Sequence, residues 1–329
     1  MHFIQRQTYT YTENNHRINK ILNKRNLKTA LISLELANQP SKLSANKLAD
    51  SIIPNNNSAF LFSFPHSGRQ YPINFVAKSR LDILNLRSSE DAYVDELFSN
   101  ISQNGGNKLV ALFPRAYVDV NRYENELDAE LFIEQIGRTA IYNSPLAKAG
   151  YGVIARCVAN QQYIYNGRIS LQVAERRLES HYRPYHALIN KLTQSAVDIF
   201  GCSLLIDCHS MPSKFSINQA APDFIIGDLC GKSCSSYVRN VAGQYLSNLG
   251  FNVKFNIPYA GGAITQKYHN TQLGFHSFQL EINRGLYMNE QNLEKTKDFE
   301  NIQNIMNGLA REITYIKPQA LIPLHNIAE

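Results

Sequence analysis

Short apolar runs alternate with amphipathic segments along most of the chain, and this alternation predicts an α/β fold. Runs of strand length lie at 59–64, 108–113, 117–120, 152–158, 203–208, 223–228, 253–257 and 276–282. Helical patterns lie between them, at 90–101, at 170–200 with an expected bend at Pro184, and at 233–250. Strands that alternate with helices favour a largely parallel sheet covered on both faces.

The first 57 residues have a different pattern. A helical stretch from about Arg17 to Ala37 is followed by a segment rich in Ser, Asn and Pro, which is typical of a linker. We therefore predict an accessory N-terminal segment over 1–57, helical plus linker, and one large domain over 58–329.

Composition narrows the class of protein. Of the 329 residues, 44% are hydrophobic and 18% are charged, as in ordinary folded proteins. The net charge of +6 is spread along the chain, so it gives no indication of nucleic-acid binding. We expect neither a signal peptide nor a membrane helix, because residues 1–20 lack a signal-like apolar core and the sequence has no apolar run of about 18 residues; the five cysteines are scattered. We expect a cytoplasmic protein with reduced thiols and no membrane partner; the oligomeric state stays open.

Three predicted strands end in side chains that can ligate metal or transfer protons. His66 follows the run at 59–64, His209 follows the run at 203–208, and Glu281 lies near the end of the run at 276–282. Each histidine alone could be a packed structural residue, but a carboxylate in a buried run is costly without a partner. Ligands in such sheets bind at the carboxyl ends of strands, and widely separated ligands are typical of catalytic zinc. The pattern indicates a mononuclear hydrolytic zinc site.

The third metal ligand is left open by the sequence. The segment RSSEDAYVDELF offers Glu90, Asp91, Asp95 and Glu96. If this segment is helical, Asp91 and Asp95 share one face. The alternative is a solvated helix face with no ligand role.

Two further segments supply groups that suit a carboxylate ligand. Asn121 and Arg122 follow the strand-like run YVDV and offer an amide and a forked guanidinium, which bind carboxylates through parallel hydrogen bonds. The alternative is a surface arginine paired with Asp119. The Gly261-Gly262 pair between aromatic residues is a candidate loop over the site, or an ordinary tight turn.

These motifs together resemble a known family. PHSG, RAYVDVNR, DCHSM, PDFIIGD, PYAGGAIT and FQLEINRGLYM occur in the order found in the N-formylglutamate amidohydrolase family, and the resemblance covers roughly residues 58–290. The family is similar to zinc carboxypeptidases, which implies a three-layer αβα sandwich around a mixed, largely parallel sheet. It also implies that the chain hydrolyses the amide of N-formyl-L-glutamate or a related N-acyl amino acid to formate or another acid, within histidine breakdown or a similar route.

The resemblance implies a role for each candidate residue. One Zn2+ ion would be held by His66, His209 and Asp91, the last being preferred over Asp95 or Glu90. Glu281 would be the general base and Arg115 would polarise the scissile carbonyl. The substrate, a small carboxylate, would be bound by Asn121, Arg122, Gly261, Gly262 and Thr265.

The sequence also departs from these relatives. Arg69 stands where the HxxE motif of carboxypeptidases has its glutamate, and Ala260 and Ala263 flank the glycine pair. These departures leave open a zinc peptidase or deacylase of different specificity. A non-catalytic protein that binds a carboxylate is the third alternative.

Overall fold

A mixed seven-stranded sheet forms the centre of the protein. The computed structural model describes residues 52–53, 58–136, 144–216 and 219–323. In chain order the strands are β1 Ile52–Ile53, β2 Phe60–Phe64, β3 Asn107–Val110, β4 Ser203–Met211, β5 Phe224–Gly227, β6 Val253–Phe255 and β7 Phe275–Asn283. Their spatial order is β1-β3-β2-β4-β7-β5-β6, and within this sheet, as far as the structure describes it, the pairs β1–β3 and β7–β5 are antiparallel and the others are parallel.

Helices cover both faces of this sheet and give three layers. In chain order they are α1 Ile73–Lys78, α2 Ile83–Arg87, α3 Val94–Leu97, α4 Pro145–Lys148, α5 Leu171–Arg177, α6 Arg183–Phe200, α7 Ser236–Asn248, α8 Ala263–Lys267 and α9 Phe299–Thr314. Buried residues of α7 and α9 pack on one face. Buried residues of α6 and of the largely irregular segments 111–136 and 144–165 pack on the other. The predicted αβα sandwich is confirmed.

The shorter elements lie outside the central sheet. Three two-stranded ribbons pair Cys157–Val158 with Gln162–Tyr163, Lys214–Ser216 with Gln219–Ala220, and Met288–Asn289 with Glu294–Lys295. Single 3-10 turns are formed by Ala129–Leu131, Ala159–Gln161, Thr271–Leu273, Arg284–Leu286 and Pro318–Ala320.

The two central strands place their reactive side chains Asp207, His209 and Glu281 on one face. The even-numbered residues of 204–208 in β4 and of 278–282 in β7 belong to the core beneath α7 and α9. Because successive side chains of a strand point to opposite faces, Asp207, His209 and Glu281 face the α6 side. The parallel register places Glu281 directly beside His209. An apolar run can therefore end in reactive groups without placing them in the apolar core.

Two of the predicted strands and part of one predicted helix are wrong. Residues 117–120 form a turn, and 152–158 contains only the two-residue strand Cys157–Val158. The apolar residues of both segments are buried, apart from the partly buried Tyr117. The backbone, however, pairs irregularly, as in the hydrogen bond from Asp119 N to Val153 O (2.9 Å). Helix α3 spans only part of the predicted 90–101, and α9 was not predicted.

The long helical stretch of 170–200 changes helix type before Pro184. A π-helical turn, Leu178–Tyr182, joins α5 to α6, and Pro184 lies in the first turn of α6. Proline has no N–H to donate to the preceding turn, so the irregularity falls next to the expected bend.

Several predictions concern residues or properties beyond the sheet. The predicted helix at 17–37 lies outside the described residues, and the division at 57 stays a prediction. All five cysteines are free thiols, as expected. Within the described ranges, none of the helices combines the length and the apolar character that a membrane crossing requires.

Candidate active site

Three buried donor groups face one another at the carboxyl ends of β2 and β4. The Nδ1 atoms of His66 and His209 lie 3.1 Å apart. Asp91 Oδ2 lies 3.2 Å from the first and 3.0 Å from the second. The three side chains are 1–3% exposed. The structure thus brings together the three predicted metal ligands, and these three form the only such cluster found in the described part of the chain.

The turn after β2 places His66 and Asp91 side by side. Asp91 N donates to His66 O (3.1 Å), and Ser67 Oγ donates to Asp91 O (3.1 Å). Gly68 allows this turn to pack closely against the segment after β3, because a Cβ there would lie 2.1 Å from Phe113 O. Glycine in PHSG is therefore required by close backbone approach.

A carboxylate orients each imidazole from behind. His66 Nε2 lies 2.7 Å from Asp119 Oδ1, and His209 Nε2 lies 2.8 Å from Asp207 Oδ2. A carboxylate can only accept here, so each Nε2 carries a proton and donates it. In the neutral form of each ring, the lone pair of Nδ1 then points at Asp91. This arrangement is typical of histidines that ligate a metal.

The second oxygen of Asp91 is held by two donors. Asp91 Oδ1 accepts hydrogen bonds from Arg284 Nη2 (2.9 Å) and Ser210 Oγ (3.1 Å), and Arg284 Nε donates to the same hydroxyl (3.0 Å). Burial raises the pKa of Asp91, but hydrogen bonds with His209 and His66 and the charge of Arg284 lower it well below its ordinary value. Asp91 is therefore an anion that presents Oδ2 alone to the histidines.

The donor set fits a single divalent cation such as zinc. Donors in a tetrahedral zinc site lie about 3.3 Å apart, given zinc–nitrogen bonds of about 2.0–2.1 Å, and the observed separations are 3.0–3.2 Å. Three lone pairs cannot face one another at this distance unless protons or a cation lie between them. Accordingly, although burial lowers the pKa of His209, Asp207 and Asp91 raise it well above the ordinary value. A bound metal would displace that proton.

Glu281 lies in the same cleft as the three donors. The cleft has a volume of about 460 Å³ and is lined by His66, Asp91, His209 and Glu281, among others. Glu281 is 7% exposed, and its Oε1 accepts a hydrogen bond from Gln279 Nε2 (2.6 Å). Burial raises the pKa of Glu281 to about 7, although the charge of His209 opposes this effect. A carboxyl group with this pKa can both accept and return a proton near neutral pH.

The predicted catalytic arginine and the predicted substrate-binding side chains differ in how many of their polar groups are already hydrogen-bonded within the protein. Arg115, Asn121 and Arg122 all line the cleft. Arg115 Nη2 donates to Asp119 Oδ2 (2.8 Å), its one hydrogen bond with the described residues, so its other N–H groups are available. Arg122 donates to Tyr151 O and to Asn121 O (both 2.9 Å). The Asn121 side chain accepts from Ile264 N (2.8 Å) and lies 3.1 Å from His209 Nε2.

The loop with the glycine pair borders the cleft, whereas the threonine after it does not. Gly261 and Gly262 line the cleft. A Cβ on Gly262 would lie 2.4 Å from Asn121 Nδ2, so the loop can approach Asn121 only with glycine there. Thr265 is fully buried in α8 and is absent from the cleft lining. Its side chain packs against Gly261, where an added Cβ would lie 3.0 Å from Thr265 Cγ2, so Thr265 lies behind the loop and not in the cleft.

The sequence did not assign four residues that support the site. Asp119 holds His66 and Arg115, Gln279 bonds Glu281, and Ser210 and Arg284 hold Asp91. All four belong to the motifs quoted above, but the spacing alone did not indicate their partners. The other candidates for the third ligand bond to residues outside the metal-ligand cluster. Glu90 accepts hydrogen bonds from Tyr71 and Arg87. Asp95 accepts one from Arg69.

Comparisons with known proteins identify a family and similar structures. The family model described as N-formylglutamate amidohydrolase matches residues 58–288. An N-formylglutamate deformylase of Pseudomonas putida is 25% identical over 235 residues, which is 70% of this chain and 82% of that protein. An N-formylglutamate amidohydrolase structure from Ralstonia eutropha JMP134 is 29% identical, with a TM-score of 0.75 over 80% of this chain and 95% of that one. A gene product of Agrobacterium tumefaciens, 15% identical, shares the fold with a TM-score of 0.58 over 85% of this chain and 96% of that one.

Proposed function

The chain belongs to the N-formylglutamate amidohydrolase family, and from this we propose that it hydrolyses N-formyl-L-glutamate to formate and L-glutamate with one zinc ion. His66, Asp91 and His209 would hold the ion. The observation that carries the proposal is that these three donors share one cleft with Glu281. The names of two relatives, an amidohydrolase and a deformylase of N-formylglutamate, support the choice of substrate.

Four side chains have distinct roles in the proposed reaction. Bound zinc would act as a Lewis acid toward the formyl carbonyl and would acidify a water molecule. Glu281 accepts a proton from the attacking water and returns it to the departing amine, so that the C–N bond breaks and formate and the free amine are formed. Arg115 donates to the carbonyl oxygen as negative charge develops there. Asp119 and Asp207 keep the two imidazoles in the ligating tautomer.

Substrate carboxylates would be held by the arginines of the cleft. The N–H groups of Arg115 that are not used by Asp119, together with the Arg122 guanidinium, supply positive charge next to the metal ligands. Fixed carboxylates convert binding energy into orientation of the amide. Because Asn121 holds the loop at Ile264, we propose that it shapes the pocket rather than grips the substrate directly.

An amidase assay with several acyl derivatives tests the proposed substrate. We expect the purified full-length chain to release formate from N-formyl-L-glutamate, to lose this activity with a zinc chelator and to regain it when Zn2+ is added. Faster hydrolysis of N-acetylglutamate or of a glutamyl dipeptide would instead favour the deacylase or peptidase alternative. Tight binding of these carboxylates without turnover of any would favour the non-catalytic alternative.

The hydrogen bond from Arg284 to Asp91 gives a prediction about metal affinity. Replacement of Arg284 by methionine removes a donor to Oδ1 and the charge that balances Asp91. Because partners of this kind typically contribute about 10–100-fold to metal affinity, we expect the dissociation constant of Zn2+ to rise by that factor. Competition with a chromophoric chelator measures it.

A matched substitution separates this effect from general destabilisation. Arg87 forms a part-buried ion pair with Glu90 (3.0 Å), next to Asp91 in sequence, but it makes no described contact with Asp91. Arg87→Met is expected to lower the unfolding temperature while zinc affinity stays within about twofold. Equal loss of zinc affinity in both variants would contradict a specific role for Arg284.

A further inference from the structure

A single glutamine joins the glycine loop to the proposed general base. Gly262 N donates to Gln279 Oε1 (2.6 Å), and Gln279 Nε2 donates to Glu281 Oε1 (2.6 Å). Gln279 is 5% exposed and lies on the same face of β7 as Glu281. We propose that Gln279 is a positioning residue that fixes Glu281 Oε1 and leaves Oε2 as the oxygen that accepts the proton of the attacking water. This inference rests on the proposed function.

The orientation of the Gln279 amide is determined by its backbone partner. A backbone N–H can only donate, so the atom that Gly262 N contacts is the carbonyl oxygen of Gln279. The NH2 group therefore points at Glu281. The loop itself is held in place from the other side, because Ile264 N donates to Asn121 Oδ1 (2.8 Å).

The two oxygens of Glu281 are consequently not equivalent. Oε1 is bonded to Gln279, whereas Oε2 has no hydrogen bond with any described residue and is not among the enclosed, unpaired polar atoms. Since Glu281 lines the cleft, Oε2 is the oxygen open to a ligand. The terminal torsion of a glutamate is broad and roughly two-fold, so without Gln279 the carboxylate has no described hydrogen bond to hold this orientation.

Replacement of Gln279 by methionine tests the role in turnover. Methionine is similar in length but cannot form either hydrogen bond. We expect kcat on N-formyl-L-glutamate to fall about 10–100-fold, because misplacing a reacting group by about 1 Å costs up to that factor. KM and bound zinc should stay close to wild type, since only the proton transfer is affected.

A double substitution shows whether Gln279 acts through Glu281. If it does, Gln279→Met should cause no further loss in a Glu281→Gln background, because the group that it positions has already been removed. If the losses in kcat of the two single variants multiplied in the double variant, the inference would be overturned. Gln266→Met is the control, because Gln266 Nε2 bonds Gly261 O of the same loop (3.3 Å) but makes no described contact with Glu281; its kcat should be unchanged.

Crystal structures of the wild type and of the Gln279→Met variant decide the orientation without any assay. We expect the Glu281 carboxylate to rotate in the variant while the three metal ligands stay in place. An unchanged carboxylate orientation in the variant would overturn the inference, even if the wild-type enzyme hydrolyses N-formyl-L-glutamate. A wild-type protein that hydrolyses none of the acyl derivatives would instead refute the proposed function.

Discussion

Replacement of His209 by alanine is expected to abolish both zinc binding and hydrolysis. The substitution removes one of three donors that face one another within 3.2 Å and leaves Asp207 buried without its imidazole partner. Loss of a direct ligand should exceed the roughly 10–100-fold loss in affinity that follows loss of an outer partner. Metal content after dialysis, measured by atomic absorption, and the rise in unfolding temperature on addition of Zn2+ report this loss.

His276→Asn is the matched control for this experiment. His276 is 5% exposed, compared with 3% for His209, and lies in the neighbouring strand β7. Its ring contacts Ser235 N (3.2 Å) and Leu321 O (2.9 Å), away from the cleft. We expect this variant to keep its zinc. If His209→Ala retained a full equivalent of metal, the assignment of His209 as a ligand would be refuted.

Replacement of Glu281 by glutamine should leave the metal bound and greatly slow hydrolysis. Glutamine has the same shape, and its carbonyl oxygen can still accept from Gln279 Nε2, so its NH2 group would face the cleft. That group cannot accept a proton. General acid–base groups typically contribute about 10²–10⁴-fold, and we expect kcat to fall by this factor with little change in KM. Steady-state kinetics with zinc content measured on the same sample test this prediction.

Glu90→Gln controls for the loss of a buried carboxylate. Glu90 is 1% exposed, and burial raises its pKa as it does for Glu281. It accepts hydrogen bonds from Tyr71 and Arg87 and does not line the cleft. Its substitution should affect stability more than turnover. A Glu281→Gln enzyme with kcat within about tenfold of wild type would remove Glu281 from the mechanism.

The central sheet could be predicted because its strands are covered on both faces. A covered strand is a continuous apolar run, and the runs at 59–64, 203–208 and 223–228 all became strands. The incorrect predictions lie in segments such as 117–120, where Val118 and Val120 are equally buried but the backbone forms no strand. An apolar run indicates that a segment is buried. Whether it forms a strand depends on a neighbouring strand with which it can pair, and that partner is not encoded locally.

The third donor shows the same limit within the site. A helix over 90–101 would have placed Asp91 and Asp95 on one face, but helix α3 begins only at Val94, after Tyr93 with a φ of 65°. Asp95 instead pairs with Arg69 (2.8 Å). The residue that reaches the histidines is Asp91, because its backbone N–H is bonded to His66 O.

The sequence by itself determined which strand ends carry imidazoles and a carboxylate, because these residues interrupt local apolar patterns that can be read without a partner. Only the tertiary structure decided the partner of each polar group. Arg284 reaches Asp91 across 193 positions of the chain, and Asn121 reaches Ile264 across 143. Such hydrogen bonds depend on strand register and loop packing, and they require atomic separations near 3 Å. Residue order therefore predicted the chemistry of the site, and packing decided its geometry.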